Sequence, residues 1–486
     1  MVWKNKAVQY GAVPVLVIIM YLFSRIAGMN SRAMIFYRVV VFCCVTSGII
    51  ILMKCFRHIE KGNAGKQEQI TGILLILGIV LRVTFMLFTP CEEKSHDLGE
   101  IDVNGWGHAA YLLNIMQEGQ LPQSNAIQFY QQPLFYLLGS FFSVIINGIL
   151  GASDAYSLVD ASKTVSCMAS CISLLACREI FAEAGIQGKG LYRALMIVAF
   201  LPVYFLTGSS VGPDALAGMF MLLGFLYTMK WDKCKSWKNT ILLAVIYGCG
   251  VLTKISCATL ALFTAIIFVR NLADAVKKGG WEKLLAKYLV FGGISLPIGL
   301  WYSVRNYILF EQPLNYVLRI GEDHPLYTGN HSFVQRLLVI PINSLFEEPY
   351  GNVFEDYNLP GYALKSALFG EGRTDIWGWI PVLLLTFAFL LAVFSAVSIV
   401  YCIKYQRKDK WCRWMLLSAG IFWCSIVIFY IQYPFGCSMD FRYMLFLPTP
   451  VVSLLGRCEW FQKRDLGRYV DICCFGFAIS VCLMYF

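Results

Sequence analysis

Apolar residues run along this chain in long blocks separated by short polar links. Blocks such as "YGAVPVLVIIMYLFSRIAGM" and "IWGWIPVLLLTFAFLLAVFSAVSIVYC" reach the roughly 20 residues a helix needs to cross a bilayer. They place spans at about 10–28, 33–55, 70–89, 133–150, 161–177, 191–207, 214–230, 239–253, 255–270, 287–304, 376–403, 412–431, 443–456 and 470–486. The pattern predicts an all-α polytopic membrane protein of about 12–14 transmembrane helices.

The links differ in charge, and the difference sets topology. "KCFRHIEKGNAGK", "KWDKCKSWK", "RNLADAVKKGGWEKLLAK", "KYQRKDKWCR" and "RCEWFQKRDLGR" are basic and belong on the cytoplasmic side. Residues 90–132 hold one Lys against six acids, and residues 305–374 five basic residues against eight acids. Both belong on the extracytoplasmic face. Threading from the two ends disagrees by one crossing between Pro133 and Lys189. Either an assigned span there is re-entrant or interfacial, or one contains two short crossings. Within the first loop, "VNGWGHAAYLLNIMQEGQLP" puts Trp106, Ala110, Leu113 and Met116 on one face of an interfacial amphipathic helix. Residues 305–374 are too long for a plain connection and read as an ordered cap on the membrane.

Composition supports this class: 58% of the 486 residues are hydrophobic and 14% charged, against roughly 25% charged in soluble domains. The net charge of +10 sits in the short links, so it orients the chain and does not point to nucleic acid. Eighteen cysteines would suggest disulfides in a small secreted chain. Here they lie inside apolar runs such as "VVVFCCVTSG" and "VDICCFGFAISVC", as free packing thiols. The basic start and long apolar run of "MVWKNKAVQYGAVPVLVIIMYLF" read as a retained anchor. No nucleophile-elbow, Walker or dinucleotide pattern is present.

Candidate chemistry gathers at helix mouths. His96, Asp97, Glu100, Asp102 and His108 fall within thirteen residues, and carboxylates at the edge of a membrane cavity need a task or a partner. A solvated acidic loop is the plain alternative. In "LTGSSVGPDALAGMF", Pro213 ends one helix and Asp214 starts the next, where it also suits the helix dipole. Cations stand at other mouths: Lys254, Arg305 beside Asn306, and Arg442 beside Tyr443. Each alone could snorkel to an interface; together they suit a phosphate clamp facing a base. The histidines, His324 included, have no metal-type spacing, so a metal site is not expected and a divalent cation is the minor alternative.

The order of these features resembles the GT-C superfamily of polytopic glycosyltransferases, the group of protein O-mannosyltransferases and lipid A aminoarabinose transferases. The likeness covers about residues 70–456 and rests on "LGIVLRVTFMLF" with Arg82, the acidic first loop, "QFYQQPLFYLL", "GPDAL", "LTK", "RNYILFEQP" and "DFRY". It implies a catalytic domain at 70–486 preceded by two additional helices in 1–69. It also implies transfer, with inversion, of a sugar from a polyisoprenyl-phosphate donor to an extracytoplasmic acceptor. The base is Asp97, Glu100 or Asp102, with Asp97 favoured; substrate binding falls to His96, His108, Tyr130, Gln132, Asp214, Lys254, Arg305, Asn306, Arg442 and Tyr443. Where many members carry an adjacent acidic pair, this chain reads "HDLGEID", and Gln132 replaces the first Pro of a usual pair. The cationic clamp makes the implied chemistry metal-independent. The resemblance suits a bacterial plasma membrane with the site outside, with the endoplasmic reticulum as the other location. A transporter or flippase of a lipid-linked glycan, without transfer chemistry, is the reading from another class.

Overall fold

The computed structural model describes residues 6–26, 31–57, 64–125, 127–318, 320–371 and 378–486. The end of the expected loop 305–374, the start of span 376–403 and the end of span 10–28 lie outside the described residues. The longer helices are α1 (Lys6–Ile26), α2 (Ser31–Arg57), α3 (Ala64–Phe88), α4 (Gly107–Gln117), α5 (Leu134–Leu150) and α6 (Ala155–Glu183). They continue with α7 (Gly188–Phe200), α8 (Pro202–Gly208), α9 (Asp214–Lys233), α10 (Trp237–Thr253), α11 (Thr259–Lys278) and α12 (Trp281–Phe310). The last are α13 (Leu359–Phe369), α14 (Ile380–Tyr405), α15 (Lys410–Gln432), α16 (Pro448–Arg457) and α17 (Arg464–Tyr485). Among the described residues nine helices are long and apolar enough to cross a membrane, and the bent pair α7–α8 makes ten. Two further apolar helices, α5 and α10, are shorter than that. The chain is an all-α, multi-pass membrane protein.

Two buried polar clusters fix the long helices. Pro202, at the first turn of α8, has no N–H to offer Val198, and the helix bends by 41° at that break. The freed carbonyl is taken by Arg82, whose guanidinium bonds Val198 O at 3.1 Å, Ala199 O at 2.9 Å, Gly78 O at 2.8 Å and Ser170 Oγ at 3.0 Å. Arg82 is therefore a tether between α3, α6 and α7, with four of its five N–H donors engaged. Asp160, fully buried, accepts from Tyr21 at 2.7 Å and from Lys163 at 2.7 Å and contacts Arg25, which docks α1 on α6. Among the described residues the cysteines are free thiols, most of them buried.

The ion pairs also settle the crossing left open by the sequence. Near the start of α6, Asp160 accepts from Cys91 N at 3.2 Å and Lys163 donates to Thr89 O at 2.8 Å, level with the end of α3. Near its other end Glu179 pairs with Lys230 at 2.9 Å, at the end of α9. So α6 crosses once, starting on the face that carries the first loop. Helix α5 begins in that loop and ends four residues before α6, with Asn147 bonded to Ser157 O at 3.2 Å. Both ends of α5 lie on one face: the apolar run 133–150 is an interfacial helix, not a crossing, and the two threads then agree.

Two further expectations change. The run 443–456 is not one continuous helix; two 3-10 turns at Gly436–Met439 and Phe441–Met444 precede a ten-residue α16. Pro448 and Pro450 cannot donate backbone hydrogen bonds, so the helix starts only there. Helix α4 presents no solvated face in its first two turns, because Gly107 through Leu113 are all buried, with Tyr111 stacked on Tyr136 at 3.7 Å. The described part of the long loop is ordered as expected. Tyr327 and Phe435 form an isolated bridge, Thr328 N bonds Pro434 O at 2.8 Å, and Arg336 bonds Tyr430 O at 2.7 Å.

Candidate active site

Asp97 stands where two cavities meet. Its backbone is left-handed, with φ of 52°, which Asp tolerates better than most residues. The conformation is imposed by a crossing of the chain on itself. His108 N bonds Asp97 O at 3.0 Å, Ala109 N bonds Leu98 O at 2.9 Å and Glu100 N bonds Trp106 O at 3.1 Å. The crossing is so close that Gly99 and Gly107, with φ of 72° and 89°, have no room for a Cβ: one would fall 1.8 Å from Trp106 O, the other 2.5 Å from Leu98 O.

The larger cavity, about 510 Å³, has one apolar wall and one polar wall. Leu314, Val317, Phe422, Ile426 and Phe429 supply hydrocarbon; Asp97, Tyr130, Gln132, Lys254, Asn306 and Tyr443 supply polarity. Gln132 donates to Ser303 Oγ at 2.7 Å and leaves its buried Oε1 unpaired, as does Gln312. Tyr130 packs edge-on against Tyr316 at 5.2 Å, and burial pushes its hydroxyl up to about 12. Lys254 terminates α10 as Asp214 starts α9; the two are ion-paired, and the ammonium lies 4.4 Å from the centre of the Tyr443 ring. Asp214, Lys254, Arg442 and Tyr443 share a narrow crevice between the cavities.

The smaller cavity, about 190 Å³, is lined by His96, Asp97, Glu371, Asp440 and Arg442 among others. The turn 440–442 is pinned to α13, with Phe441 N on Ser366 Oγ at 3.0 Å and Asp440 Oδ1 capping Arg442 N at 2.8 Å. His96 Nδ1 lies 2.8 Å from Glu371 and its Nε2 lies 3.9 Å from Asp440. Burial would raise the Glu371 carboxyl, but the hydrogen bond and charge of His96 outweigh it and hold the group at about 2. Burial pushes the Asp440 carboxyl above its usual range.

His96, Glu371 and Asp440 are the one group among the described residues that could hold a metal ion, with ligand atoms within 4.8 Å of one another. The Arg442 guanidinium, 4.0 Å from Asp440, already brings positive charge to that spot.

The sequence-derived set divides cleanly. Asp97, Tyr130, Gln132, Lys254, Asn306 and Tyr443 line the larger cavity, His96, Asp97 and Arg442 the smaller, and Asp214 the crevice. Four residues stand apart. Glu100 and Asp102 are exposed in a turn that Asp102 itself caps, accepting from Asn104 N at 2.8 Å. His108 is buried against Tyr136, 2.6 Å from its hydroxyl, and burial lowers its pKa to about 4. Arg305 bonds Pro122 O at 2.8 Å, holding the first loop to α12 and lining none of the three cavities. Glu371 and Asp440 were not picked out from sequence. Asp440 carried a signal, an acid two residues from an Arg in an apolar run; Glu371 carried none.

Residues 142–315 match a domain of unknown function, DUF8201, a stretch that holds Asp214, Lys254, Arg305 and Asn306 but neither Asp97 nor Arg442. No curated protein matches the chain. Among solved structures it is similar to the apo oligosaccharyltransferase of Archaeoglobus fulgidus, at 12% identity and a TM-score of 0.46, over 85% of this chain and 54% of that one. The chain thus spans about half the length of that structure. It is also similar to ArnT from Cupriavidus metallidurans. The apo state matches at 12% identity and a TM-score of 0.36, the undecaprenyl phosphate complex at 13% and 0.34, each over 79% of this chain and 76% of that one.

Proposed function

We propose that the protein is a membrane glycosyltransferase that moves a sugar from a polyisoprenyl-phosphate donor to an acceptor hydroxyl, with inversion. The observation that carries this is the placement of Asp97 on the border of two cavities, one of which is built for an amphiphile. The apolar wall of α15 and residues 314–317 takes the lipid end. Lys254, at the polar wall, faces the phosphate, and the unpaired oxygens of Gln132 and Gln312 accept from sugar hydroxyls. The acceptor oxygen attacks the anomeric carbon as the carbon–phosphate oxygen bond breaks. Asp97 takes the hydroxyl proton, and the electron pair leaves on the phosphate beside Lys254. By the positive-inside rule the site faces away from the cytoplasm. Residues 1–69 add two helices to the catalytic unit 70–486.

Purified protein supplied with radiolabelled polyprenyl-phosphate sugars is expected to release lipid phosphate and transfer sugar. Asp97→Asn is expected to lower turnover by about 10²–10⁴ while leaving undecaprenyl phosphate binding intact. A folded sample inactive with every donor, or an Asp97→Asn protein of normal activity, would sink this reading.

A further inference from the structure

A lipid-linked donor is accommodated by the larger cavity, which leaves the smaller one to account for. At about 190 Å³ it lies below the roughly 300–1,000 Å³ typical of drug-sized ligand sites and has room for one small ring. Val203 and Leu206 are the apolar side chains among the described residues of its wall. Two polar atoms in its wall have no hydrogen-bond partner, Asp440 Oδ2 and Arg442 Nε, in residues only 2% and 7% exposed. They stand 4.0 Å apart. One can only donate, and the other, as a carboxylate, only accepts. Buried groups left in this state destabilise the protein until something pairs with them. A hydroxyl donates and accepts at once, so two adjacent hydroxyls on a ring satisfy the pair.

We infer that the smaller cavity binds the acceptor and that the acceptor is a saccharide unit presenting adjacent ring hydroxyls, not a polypeptide. The inference rests on the transfer reading above. A polypeptide brings an N–H and a C=O about every 3.3 Å and is usually held in an open groove or along a strand edge. This cavity has room for a single ring, and the clustered His96, Glu371 and Asp440 side chains with Arg442 form its polar wall. A ring held by Asp440 and Arg442 places a further hydroxyl beside Asp97, with the donor's anomeric carbon across the border. That hydroxyl gives its proton to Asp97, its oxygen bonds the anomeric carbon, and the polyprenyl phosphate departs with the electron pair. The product is a glycoside lengthened by one unit.

Methyl hexosides and undecaprenyl phosphate, titrated separately and together onto the full chain in lipid nanodiscs, test this. At least one hexoside is expected to bind whether or not the lipid phosphate is present. Asp440→Asn, which keeps an oxygen to cap Arg442 N, is expected to weaken that binding about tenfold or more and leave the lipid phosphate affinity unchanged. Protein that binds undecaprenyl phosphate but no hexoside overturns the acceptor assignment and spares the transfer reading; protein that binds neither overturns both. Hexoside displaced by a sugar-bearing donor, but not by the bare lipid phosphate, makes this the donor's own sugar pocket and overturns the assignment. So does one bound Mn²⁺ or Zn²⁺ per chain that Asp440→Asn abolishes.

Discussion

Replacing Gly107 with Ala tests whether the crossing of residues 97–109 is what aims Asp97. The new Cβ would lie 2.5 Å from Leu98 O, 2.6 Å from Gly99 Cα and 2.7 Å from Asp97 O, all of them backbone atoms that cannot swing aside. Holding an L-residue at φ of 89° adds roughly 1–2 kcal/mol of strain. The crossing is tied by three backbone hydrogen bonds of 2.9–3.1 Å, donated by Glu100, His108 and Ala109. At about 1 kcal/mol net each, they cannot absorb both the clash and the strain. The loop therefore yields before the bundle, whose α4 is buried from Gly107 through Leu113. On the proposed reading, displacing Asp97 is expected to lower turnover about 10²–10⁴-fold, while undecaprenyl phosphate binding, which that reading assigns to α15 and Lys254, stays at the wild-type level. Gly119→Ala is the control: it also has a positive φ, of 66°, but a Cβ there meets nothing within 4 Å, so only the strain remains. Turnover and lipid binding would be measured on the same nanodisc preparations. A Gly107→Ala protein of full turnover refutes the reasoning. One that loses lipid binding and turnover together refutes the claim that the effect is local.

Glu100→Gln and Asp102→Asn are expected to leave turnover near wild type, because neither side chain lines either cavity; a loss comparable to that of Asp97→Asn would move the base to the other residue. His108 gives the protein an acid sensitivity. Burial, opposed by the charges of Asp97 and Asp214, lowers its pKa from 6.5 to about 4, so the unfolded chain takes up the proton first as pH falls. Stability is complete above about 6.5 and lost as pH drops toward 4, by about 3 kcal/mol at 1.36 kcal/mol per unit. The melting temperature is expected to fall over that window and His108→Gln to flatten the profile; a flat wild-type profile contradicts it. Asp160→Asn, which strands the buried Lys163, is expected to cost about 3–5 kcal/mol in thermal or denaturant unfolding. Arg25→Ala should cost far less because that side chain is 43% exposed; equal losses would mean that the α1 contact, not the Asp160–Lys163 pair, dominates.

Much of the bundle could be read from apolar runs because a bilayer demands long, continuous hydrocarbon and rewards nothing else so strongly. The crossing assigned to 133–150 and the single helix assigned to 443–456 fail for one reason: hydropathy reports what a segment is compatible with, not where its ends go or whether it is continuous. Helix α5 is apolar enough to cross, yet its partner Ser157 holds its far end on the near face. The 443–456 run is apolar too, but its prolines divide it. At the site, Asp97, Lys254 and Arg442 were legible because charge at a helix mouth is costly without a role. Arg305 met the same test and is used instead to hold Pro122. His96 was visible, but its partner Glu371 lies 275 residues away along the chain, and no local pattern encodes that approach.

The border position of Asp97 has a consequence for water. Both cavities open onto one carboxylate, so on the proposed reading whatever oxygen fills the smaller cavity is the nucleophile it activates. With no acceptor in place that oxygen belongs to solvent, and the donor is hydrolysed without profit. The rate of such idle turnover then becomes a gauge of vacancy, falling as acceptor is added and the transferred product rises in its stead.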